Sequence, residues 1–385
     1  MTAIEAMTGD SYAEWVRRTL MRMRESGGRI VPLFDSSVPE PRALLTDLVA
    51  RSFAEPVTDR YASAFANGNP FVMAHLARAY GVGRDQLIAT TGATGALSIL
   101  YRALVTPGER ILVETPGFDL FSRIGDLHGI AVDRFVRAAP DFALDVDAIA
   151  AALTPTTRLV VLSNLHNPSG APCAHEAMVA LARLAEARGV LVLVDEVYGD
   201  YADAATRPVP AMRLSPNIIT ISSLTKIYGL SSLRCGWIVG DAGVLAPVRT
   251  LVDRFEFGIS NLAHAAAALV FDEQQLFDAW SRDCVAAARP IAEAALDEWR
   301  AAQLIEGELP TFGCIVFPRL IGIDDTLAFA DWLAKRCGVV VAPGEYFGAP
   351  GHVRIGFARP PADLAYALDG LGEGLCAYRA LKAVA

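Results

Sequence analysis

The stretch that decides the fold is Ile218-Ile219-Thr220-Ile221-Ser222-Ser223-Leu224-Thr225-Lys226, with Arg234 eight residues after the lysine. Its β-branched and apolar beginning is typical of a buried strand. Lys226 therefore stands where this strand gives way to a loop. A lysine in that place can form a Schiff base with a carbonyl compound, while Ser223 and Arg234 can hold a phosphate beside it. The alternative is an ordinary solvated lysine at the edge of a loop.

A carboxylate closes an earlier apolar run. Asp195 follows Leu191-Val192-Leu193-Val194 and begins the segment Asp195-Glu196-Val197-Tyr198. A carboxylate at the end of a parallel strand points into the crevice at the C-terminal edge of the sheet. There it can keep a ring nitrogen protonated, because a buried negative partner favours the charged form. The alternative is that Asp195 caps the N-terminus of a helix.

Two turns with small residues follow other expected strands. Asn167-Pro168-Ser169-Gly170 comes after the strand expected at 158–162, and its tight turn leaves the Asn167 amide free to donate. Thr90-Thr91-Gly92-Ala93-Thr94-Gly95 follows the strand at 86–89 and leads into a helix predicted over 93–105. Small residues and free N–H groups at a helix N-terminus suit an anion. The segment matches neither nucleotide-binding glycine pattern, so a nucleotide site is not expected.

Three further residues stand in motifs of their own. Phe118, in Pro116-Gly117-Phe118, is either a ring that stacks on a planar ligand or a core aromatic. Arg354, in Val353-Arg354-Ile355-Gly356, either binds a carboxylate with two parallel hydrogen bonds or is an ordinary strand arginine. His166 is expected to be a packing residue rather than a catalytic one.

In their chain order these motifs resemble those of the class I/II aminotransferases among the fold-type I pyridoxal phosphate enzymes. The resemblance implies that Lys226 holds pyridoxal 5′-phosphate as an internal aldimine. Freed by an amino acid substrate, Lys226 would then shuttle a proton between the substrate Cα and the coenzyme. The reaction implied is transfer of an amino group between an amino acid and a 2-oxo acid.

The resemblance also assigns the other site residues. Asp195 would pair with the pyridine nitrogen, and Tyr198 and Asn167 with the phenolic oxygen. Phe118 would stack on the ring, and Arg354 would bind the α-carboxylate of the substrate. Asn167 would also belong to the substrate-binding residues. The phosphate would be held by Gly92, Ala93, Thr94, Ser223 and Arg234.

The same resemblance covers nearly the whole chain and implies an α/β fold. A large domain would contain a mostly parallel central sheet with helices on both faces, beside a smaller α+β domain. The alternation of strands and helices from about residue 85 to 240 itself favours such a sheet. The predicted boundaries are 1–45 for an N-terminal segment that joins the small domain, 46–280 for the large coenzyme-binding domain and 281–385 for the small domain.

Two positions near the N-terminus bear on the substrate and on assembly. Ser37 stands where many members of the family have a glycine whose amide lies near the substrate, so Ser37 is predicted to line the substrate pocket. Tyr61 is the candidate for a tyrosine that reaches the phosphate from a neighbouring subunit. That role predicts a homodimer whose active sites are shared across the interface.

Glu256 bears on the choice of substrate. It lies four residues before Ser260-Asn261, where aspartate-type members have an arginine that binds an acidic side chain. A glutamate there predicts an amino donor with a basic side chain, such as arginine, ornithine or lysine. The alternative is that Glu256 pairs with Arg254 or Arg249, or faces solvent.

Composition excludes several other classes. The net charge is -9 and no Lys/Arg stripe is present, so nucleic acid is not an expected partner. The sequence contains no run of about 18 apolar residues, so no membrane helix is predicted. Met1-Thr2-Ala3-Ile4-Glu5 lacks the features of a secretion signal. The six cysteines are scattered without a C-x-x-C pair, which favours reduced thiols over bridges or a metal site. We therefore expect a cytoplasmic enzyme of amino acid metabolism that uses no metal.

Two rival functions stay open. The coenzyme itself supplies the difficult chemistry, so the same fold and residues can run an amino-acid lyase, cyclase or decarboxylase. A coenzyme-sensing regulator would need a DNA-binding module, and the residues before Gln86 show no basic helix-turn-helix pattern.

Overall fold

The computed structural model describes residues 10–27, 30–64, 68–256 and 258–384. Met1–Glu5, which entered the predictions above, and Phe257, which follows Glu256, lie outside these ranges. The helices are α1 (Tyr12–Glu25), α2 (Arg42–Ser52), α3 (Pro70–Tyr80), α4 (Gly92–Leu104), α5 (Leu120–Leu127), α6 (Val146–Ala152), α7 (His175–Arg188), α8 (Leu224–Ile227), α9 (Ala242–Phe255), α10 (Asn261–Asp272), α11 (Gln274–Ala301), α12 (Thr326–Arg336) and α13 (Pro361–Val384). None of these helices is long and apolar enough to cross a membrane.

The strands fall into one large sheet and several small ones. They are β1 (Val31–Pro32), β2 (Leu87–Thr91), β3 (Arg110–Thr115), β4 (Ala131–Val136), β5 (Thr157–Ser163), β6 (Leu191–Asp195), β7 (Ile218–Ser223), β8 (Cys235–Val239), β9 (Ile305–Glu306), β10 (Ile315–Val316), β11 (Arg319–Leu320), β12 (Val339–Val340), β13 (Ala342–Pro343) and β14 (Val353–Gly356).

The central sheet has seven strands in the order β2-β8-β7-β6-β5-β3-β4. Every neighbouring pair is parallel except those made by β8, which runs antiparallel to β2 and β7. The mostly parallel sheet and the reversed strand at 235–239 confirm the α/β fold predicted from the sequence.

Helices cover both faces of this sheet, because successive side chains of each strand point to opposite sides. On β5, Leu159 and Val161 belong to the apolar cluster that includes α4 and α5. Val160 and Leu162 belong to the cluster on the other face, with α7. Strands buried on both faces must be apolar throughout, which is why the runs at 158–162 and 191–194 show no polar alternation.

A second core lies in the C-terminal part of the chain. Side chains of α11, α12 and α13 pack there around Leu33, Phe329 and Phe357. Strand β1 pairs in parallel with β12, with Val31 opposite Val339, so the N-terminal segment joins this part. Helix α11 runs across the boundary predicted at residue 280: its Phe277 packs in a cluster beside the central sheet and its Ala288 packs in the C-terminal core. The boundaries themselves stay a prediction.

Helix α1 begins at Tyr12 because a capping box fixes its start. The Ser11 hydroxyl accepts a hydrogen bond from the Glu14 amide at 3.1 Å, and the Ser11 amide donates to the Glu14 carboxylate at 2.7 Å. Two N–H groups that would otherwise lack partners are thereby satisfied. The box sets the first turn of α1, and with it Tyr12, at a defined place.

Candidate active site

Lys226 and Asp195 lie at the carboxyl ends of neighbouring strands. Asp195 ends β6 and is paired in register with Ile221 of β7, and Lys226 lies three residues after β7 ends. The lysine stands in the short helix α8 rather than in the loop that the sequence predicted, because the Ser223 hydroxyl accepts from the Thr225 amide at 3.4 Å and caps a helical turn. The Asp195 carboxylate accepts from the Val197 amide at 3.1 Å.

Burial sets the protonation of both groups. It raises the pKa of Asp195 to about 7, and the backbone hydrogen bond from Val197 opposes this only in part. Burial lowers the pKa of Lys226, while the negative charge of Asp35 raises it again. The Lys226 amine donates to the Ser36 hydroxyl at 3.0 Å. The chain therefore holds a carboxyl group and an amine that both ionise less readily than in water.

Lys226 also differs in burial from the two other lysines of the sequence, Lys335 and Lys382. Lys335 is paired with Asp331 and its side chain is 69% exposed, and Lys382 is exposed beside the Tyr378 ring. Lys226 is half-buried. A count of lysines in the sequence reduces the candidates for a Schiff base to three, and burial in the structure separates Lys226 from the other two.

The N-terminus of α4 and Arg234, which directly precedes β8, form a cradle of a kind that suits an anion. Gly92 has a φ of +75°, and a Cβ built on it would lie 2.4 Å from Nη2 of Arg234. Arg234 donates to the Thr91 carbonyl at 3.3 Å and is exposed. Thr91 gives α4 no side-chain cap, so first-turn N–H groups at Ala93 and Thr94 remain open for an anion.

Arg354 and Asn167 meet at the other side of the site. Arg354 is 1% exposed and its Nη1 donates to Oδ1 of Asn167 at 2.8 Å. Because a guanidinium can only donate, this contact fixes the amide of Asn167 with its NH2 group turned elsewhere. Nη2 of Arg354 donates to the Tyr12 hydroxyl at 2.5 Å and to the Phe34 carbonyl at 3.0 Å.

Two aromatic side chains complete the predicted set. Phe118 is half-buried and makes edge contacts with Tyr12 and Phe121, with ring centroids 6.3 Å and 5.8 Å apart. The Tyr198 ring stacks on Tyr201 at 6.4 Å. The Tyr198 hydroxyl is buried and makes no hydrogen bond to the described residues.

In the part of the chain that the structure describes, no hydrogen bond, ion pair or ring contact joins Ser37, Tyr61 or Glu256 to this group of residues. The Ser37 hydroxyl donates to Asp35 at 3.1 Å, and it is its neighbour Ser36 that touches Lys226. Tyr61 is 51% exposed and packs edge-on against Phe53. Glu256 is exposed just after α9 and lines a 260 Å³ cavity with Gly68 and Ala89.

A buried polar network behind the site was missed by sequence reasoning. Glu114 accepts from the Ser163 hydroxyl at 2.5 Å and from Arg137 at 3.0 Å, and both charged side chains are fully buried. The Ser163 hydroxyl in turn accepts from the backbone N–H of Asn167 at 2.9 Å. Glu114 and Arg137 are 23 residues apart, near the ends of the neighbouring strands β3 and β4. No local sequence motif therefore predicts their contact.

His166 belongs to the same layer and is a satisfied packing residue, as expected. Its Nε2 donates to the Pro116 carbonyl at 2.8 Å, which leaves Nδ1 to accept from the Ser169 hydroxyl at 2.7 Å. Burial lowers its pKa well below the usual value, so the ring is neutral.

The residues present fit pyridoxal phosphate. The Tyr198 hydroxyl is a buried donor without a partner, which suits a phenolic oxygen. The space at Gly92, which a Cβ would fill, lies against Arg234 and suits a phosphate. Asp195 offers a buried carboxyl group for a ring nitrogen, and Lys226 offers an amine for a carbonyl carbon. No group of three or more His, Cys, Asp or Glu within the described ranges could hold a metal ion.

Comparison with known proteins gives the family. The profile described as "Aminotransferase class I and II" matches residues 65–371. The probable N-succinyldiaminopimelate aminotransferase DapC of Mycobacterium tuberculosis is 31% identical over 288 residues, 72% of each chain. The arginine–pyruvate transaminase AruH of Pseudomonas aeruginosa is 28% identical over 380 residues, 91% of this chain and 92% of its own.

A solved structure agrees at the level of the fold. An aspartate aminotransferase single mutant of Thermus thermophilus superposes with a TM-score of 0.85 at 23% identity, covering 97% of this chain and 99% of its own. With the motifs, the site geometry and the profile in agreement, the chain belongs to the class I and II aminotransferases, enzymes that depend on pyridoxal phosphate.

Proposed function

We propose that this chain binds pyridoxal 5′-phosphate at Lys226 and transfers amino groups from an amino acid with a basic side chain to a 2-oxo acid. One observation carries the proposal: the Lys226 amine and the Asp195 carboxyl group lie at the ends of neighbouring parallel strands, close enough that each alters the pKa of the other. Bound there, the coenzyme would supply an electron-withdrawing ring that stabilises negative charge on the substrate Cα.

The coenzyme would be held by three sets of residues. Asp195 would hold the ring nitrogen as a charged pair, which offsets the cost that burial imposes on the carboxylate alone. Tyr198 and the NH2 group of Asn167 would donate to the phenolic oxygen, and Phe118 would pack against the ring. The phosphate would lie among the first-turn N–H groups of α4, Ser223 and Arg234.

Lys226 is the proposed proton carrier. Burial lowers its pKa, so more of the amine is neutral near pH 7 than in a solvated lysine and can remove a proton from the substrate Cα. Ser36 accepts from the amine at 3.0 Å and keeps it within the site. Arg354 would hold the substrate's α-carboxylate, which places Cα at a fixed distance from the amine.

The basic side chain of the donor is proposed from Glu256. The relative named as an arginine–pyruvate transaminase, which matches nine tenths of the chain, supports the same class of donor. Glu256 is exposed and lines a cavity with Gly68, so a second subunit that packs on this surface would have access to it. In such a dimer Glu256 would reach the substrate held by that subunit. Ser37, whose hydroxyl faces Asp35, is proposed to border the same substrate.

The proposed assembly is a cytoplasmic homodimer. Exposed apolar side chains, Val57, Tyr61, Phe255 and Leu262, flank the same loop segments as Glu256. Burying such residues against a second copy would remove them from water, which stabilises a dimer. Tyr61 would then touch the phosphate bound by the partner.

Reduction with borohydride tests the attachment site. The holoenzyme is reduced, digested and mapped, and the label is expected on Lys226, while Lys335 and Lys382 serve as internal controls. Lys226→Ala should lose both the label and nearly all amino transfer. A label on either control lysine would refute the assignment. Formation of one amino acid per 2-oxo acid added then separates transamination from a lyase, cyclase or decarboxylase reaction.

A further inference from the structure

The guanidinium of Arg354 already has partners on the atoms that a carboxylate would need. It has five N–H groups. One on Nη1 goes to Asn167, and the two on Nη2 go to the Tyr12 hydroxyl at 2.5 Å and the Phe34 carbonyl at 3.0 Å. Nε is buried and has no partner among the described residues.

A carboxylate that binds with two parallel hydrogen bonds must use one N–H of Nη2. It can bind across Nη1 and Nη2 or across Nε and Nη2, because these are the two edges of the fork. Both N–H groups of Nη2 are occupied by Tyr12 and Phe34. Either partner must therefore leave before Arg354 can hold a carboxylate in this way.

Tyr12 is the partner that can leave. The Phe34 carbonyl belongs to a backbone segment that is fixed at the preceding residue, since the Leu33 N–H donates to the Val340 carbonyl at 2.7 Å and the Leu33 carbonyl accepts from the Gly356 N–H at 2.6 Å. Tyr12 is half-buried in the first turn of α1. Its ring contacts Trp15, Phe118, Tyr346 and Phe347, and these four side chains also line a cavity of about 1060 Å³. Tyr12 does not itself line this cavity, so the open space lies behind the four side chains that pack on its ring.

We propose that Tyr12 is a positioning residue that occupies Arg354 in the free enzyme and leaves it when a carboxylate binds. This inference rests on the proposed role of Arg354 in binding the α-carboxylate. The hydroxyl of Tyr12 accepts from Nη2 and donates to the Phe34 carbonyl at 3.3 Å, so it keeps the guanidinium oriented and partly satisfied. Substrate binding then exchanges a phenol for a carboxylate on the same N–H.

The test compares Tyr12→Phe with wild type in the holoenzyme. The probe is butyrate, a carboxylate without a reactive amine, and butyramide is its neutral counterpart. Tyr346→Phe is the matched control, because it removes a phenol whose ring lies 5.9 Å from Tyr12 and makes no hydrogen bond to Arg354. Dissociation constants are measured by calorimetry and by competition with the amino donor.

We expect Tyr12→Phe to bind butyrate about ten- to a hundredfold more tightly, the change expected when one hydrogen bond to a charged group no longer has to be broken. Butyramide binding should not change, and Tyr346→Phe should change neither. Unchanged or weaker butyrate binding in Tyr12→Phe would overturn the inference, and so would an equal gain in Tyr346→Phe. If Arg354→Lys binds butyrate as wild type does, the proposed role of Arg354 fails as well. If Arg354→Lys loses butyrate while Tyr12→Phe gains nothing, only the role of Tyr12 fails.

Discussion

Replacing Gly92 by alanine should weaken coenzyme binding far more than it weakens the fold. Gly92 has a φ of +75°, and an alanine Cβ there would lie 2.4 Å from Nη2 of Arg234. The backbone cannot retreat, because Gly236 packs so closely that its own Cβ would lie 2.6 Å from Cα of Gly92. The side chain of Arg234 must therefore withdraw from the cradle.

The cost has two parts of different kinds. The left-handed backbone costs an alanine about 1 kcal/mol of folding free energy relative to glycine. Loss of the charged hydrogen bonds of Arg234 to a phosphate would cost about 1.5–3 kcal/mol of binding free energy, roughly a ten- to hundredfold rise in the dissociation constant.

A matched control separates the two parts. Gly189, after α7, has a φ of +62°, and its Cβ would have nothing within 4 Å. Gly189→Ala should lose the same folding free energy in urea unfolding of the coenzyme-free protein and keep wild-type coenzyme affinity, measured by titration of the apoenzyme. Equal coenzyme affinity in the two variants would refute the assignment of Gly92 and Arg234 to the phosphate.

Three further predictions concern Asp195, Glu256 and Tyr61. Burial raises the folded pKa of Asp195 to about 7, so its contribution to stability is full below the unfolded pKa of about 4 and is lost as the pH rises to 7. In the coenzyme-free protein, this carboxyl group should make the free energy of unfolding fall by up to about 1.4 kcal/mol per pH unit between pH 4 and 7. Asp195→Asn should abolish that part of the fall, and an unchanged pH dependence in urea unfolding would contradict the prediction. Glu256→Ala should lower kcat/KM for arginine roughly ten- to a hundredfold, equivalent to about 1.5–3 kcal/mol, and leave kcat/KM for aspartate unchanged. An unaltered preference between the two substrates would place Glu256 at the surface. Tyr61→Phe should raise the dissociation constant of the coenzyme about tenfold without changing kcat at saturation, and wild-type affinity would argue against a contact with the phosphate.

The parts of the site that the sequence predicts are those that the fold makes local. Lys226 and Arg234 both lie in the connection between the antiparallel neighbours β7 and β8. The chain therefore returns to the same edge of the sheet within eight residues. Asp195 ends an apolar strand, and Gly92 begins a helix after one. In each case strand and turn patterns are sufficient to place the residue at that edge.

The parts that the sequence did not predict depend on distant contacts or on side-chain direction. Glu114 meets Arg137 across 23 residues, and Arg354 meets Tyr12 across 342. Ser36 and Ser37 are neighbours in an irregular segment with a bend at Ser37, so sequence alone could not say which of the two side chains touches Lys226. The short helix α8 was predicted as a loop because a single capped turn carries too little periodicity to detect.

The scarcity of lysine has a consequence for selectivity. Three of the 34 basic residues are lysines, and two of those are exposed near the C-terminal core. Guanidinium groups keep their proton at any physiological pH, so the arginines are poor nucleophiles toward aldehydes and ketones. An enzyme that handles carbonyl compounds thus offers them few competing side-chain amines. Among the side chains, adventitious glycation or coenzyme adducts outside the site would fall on Lys335 and Lys382, and most of the positive surface charge would survive exposure to the enzyme's own reactants.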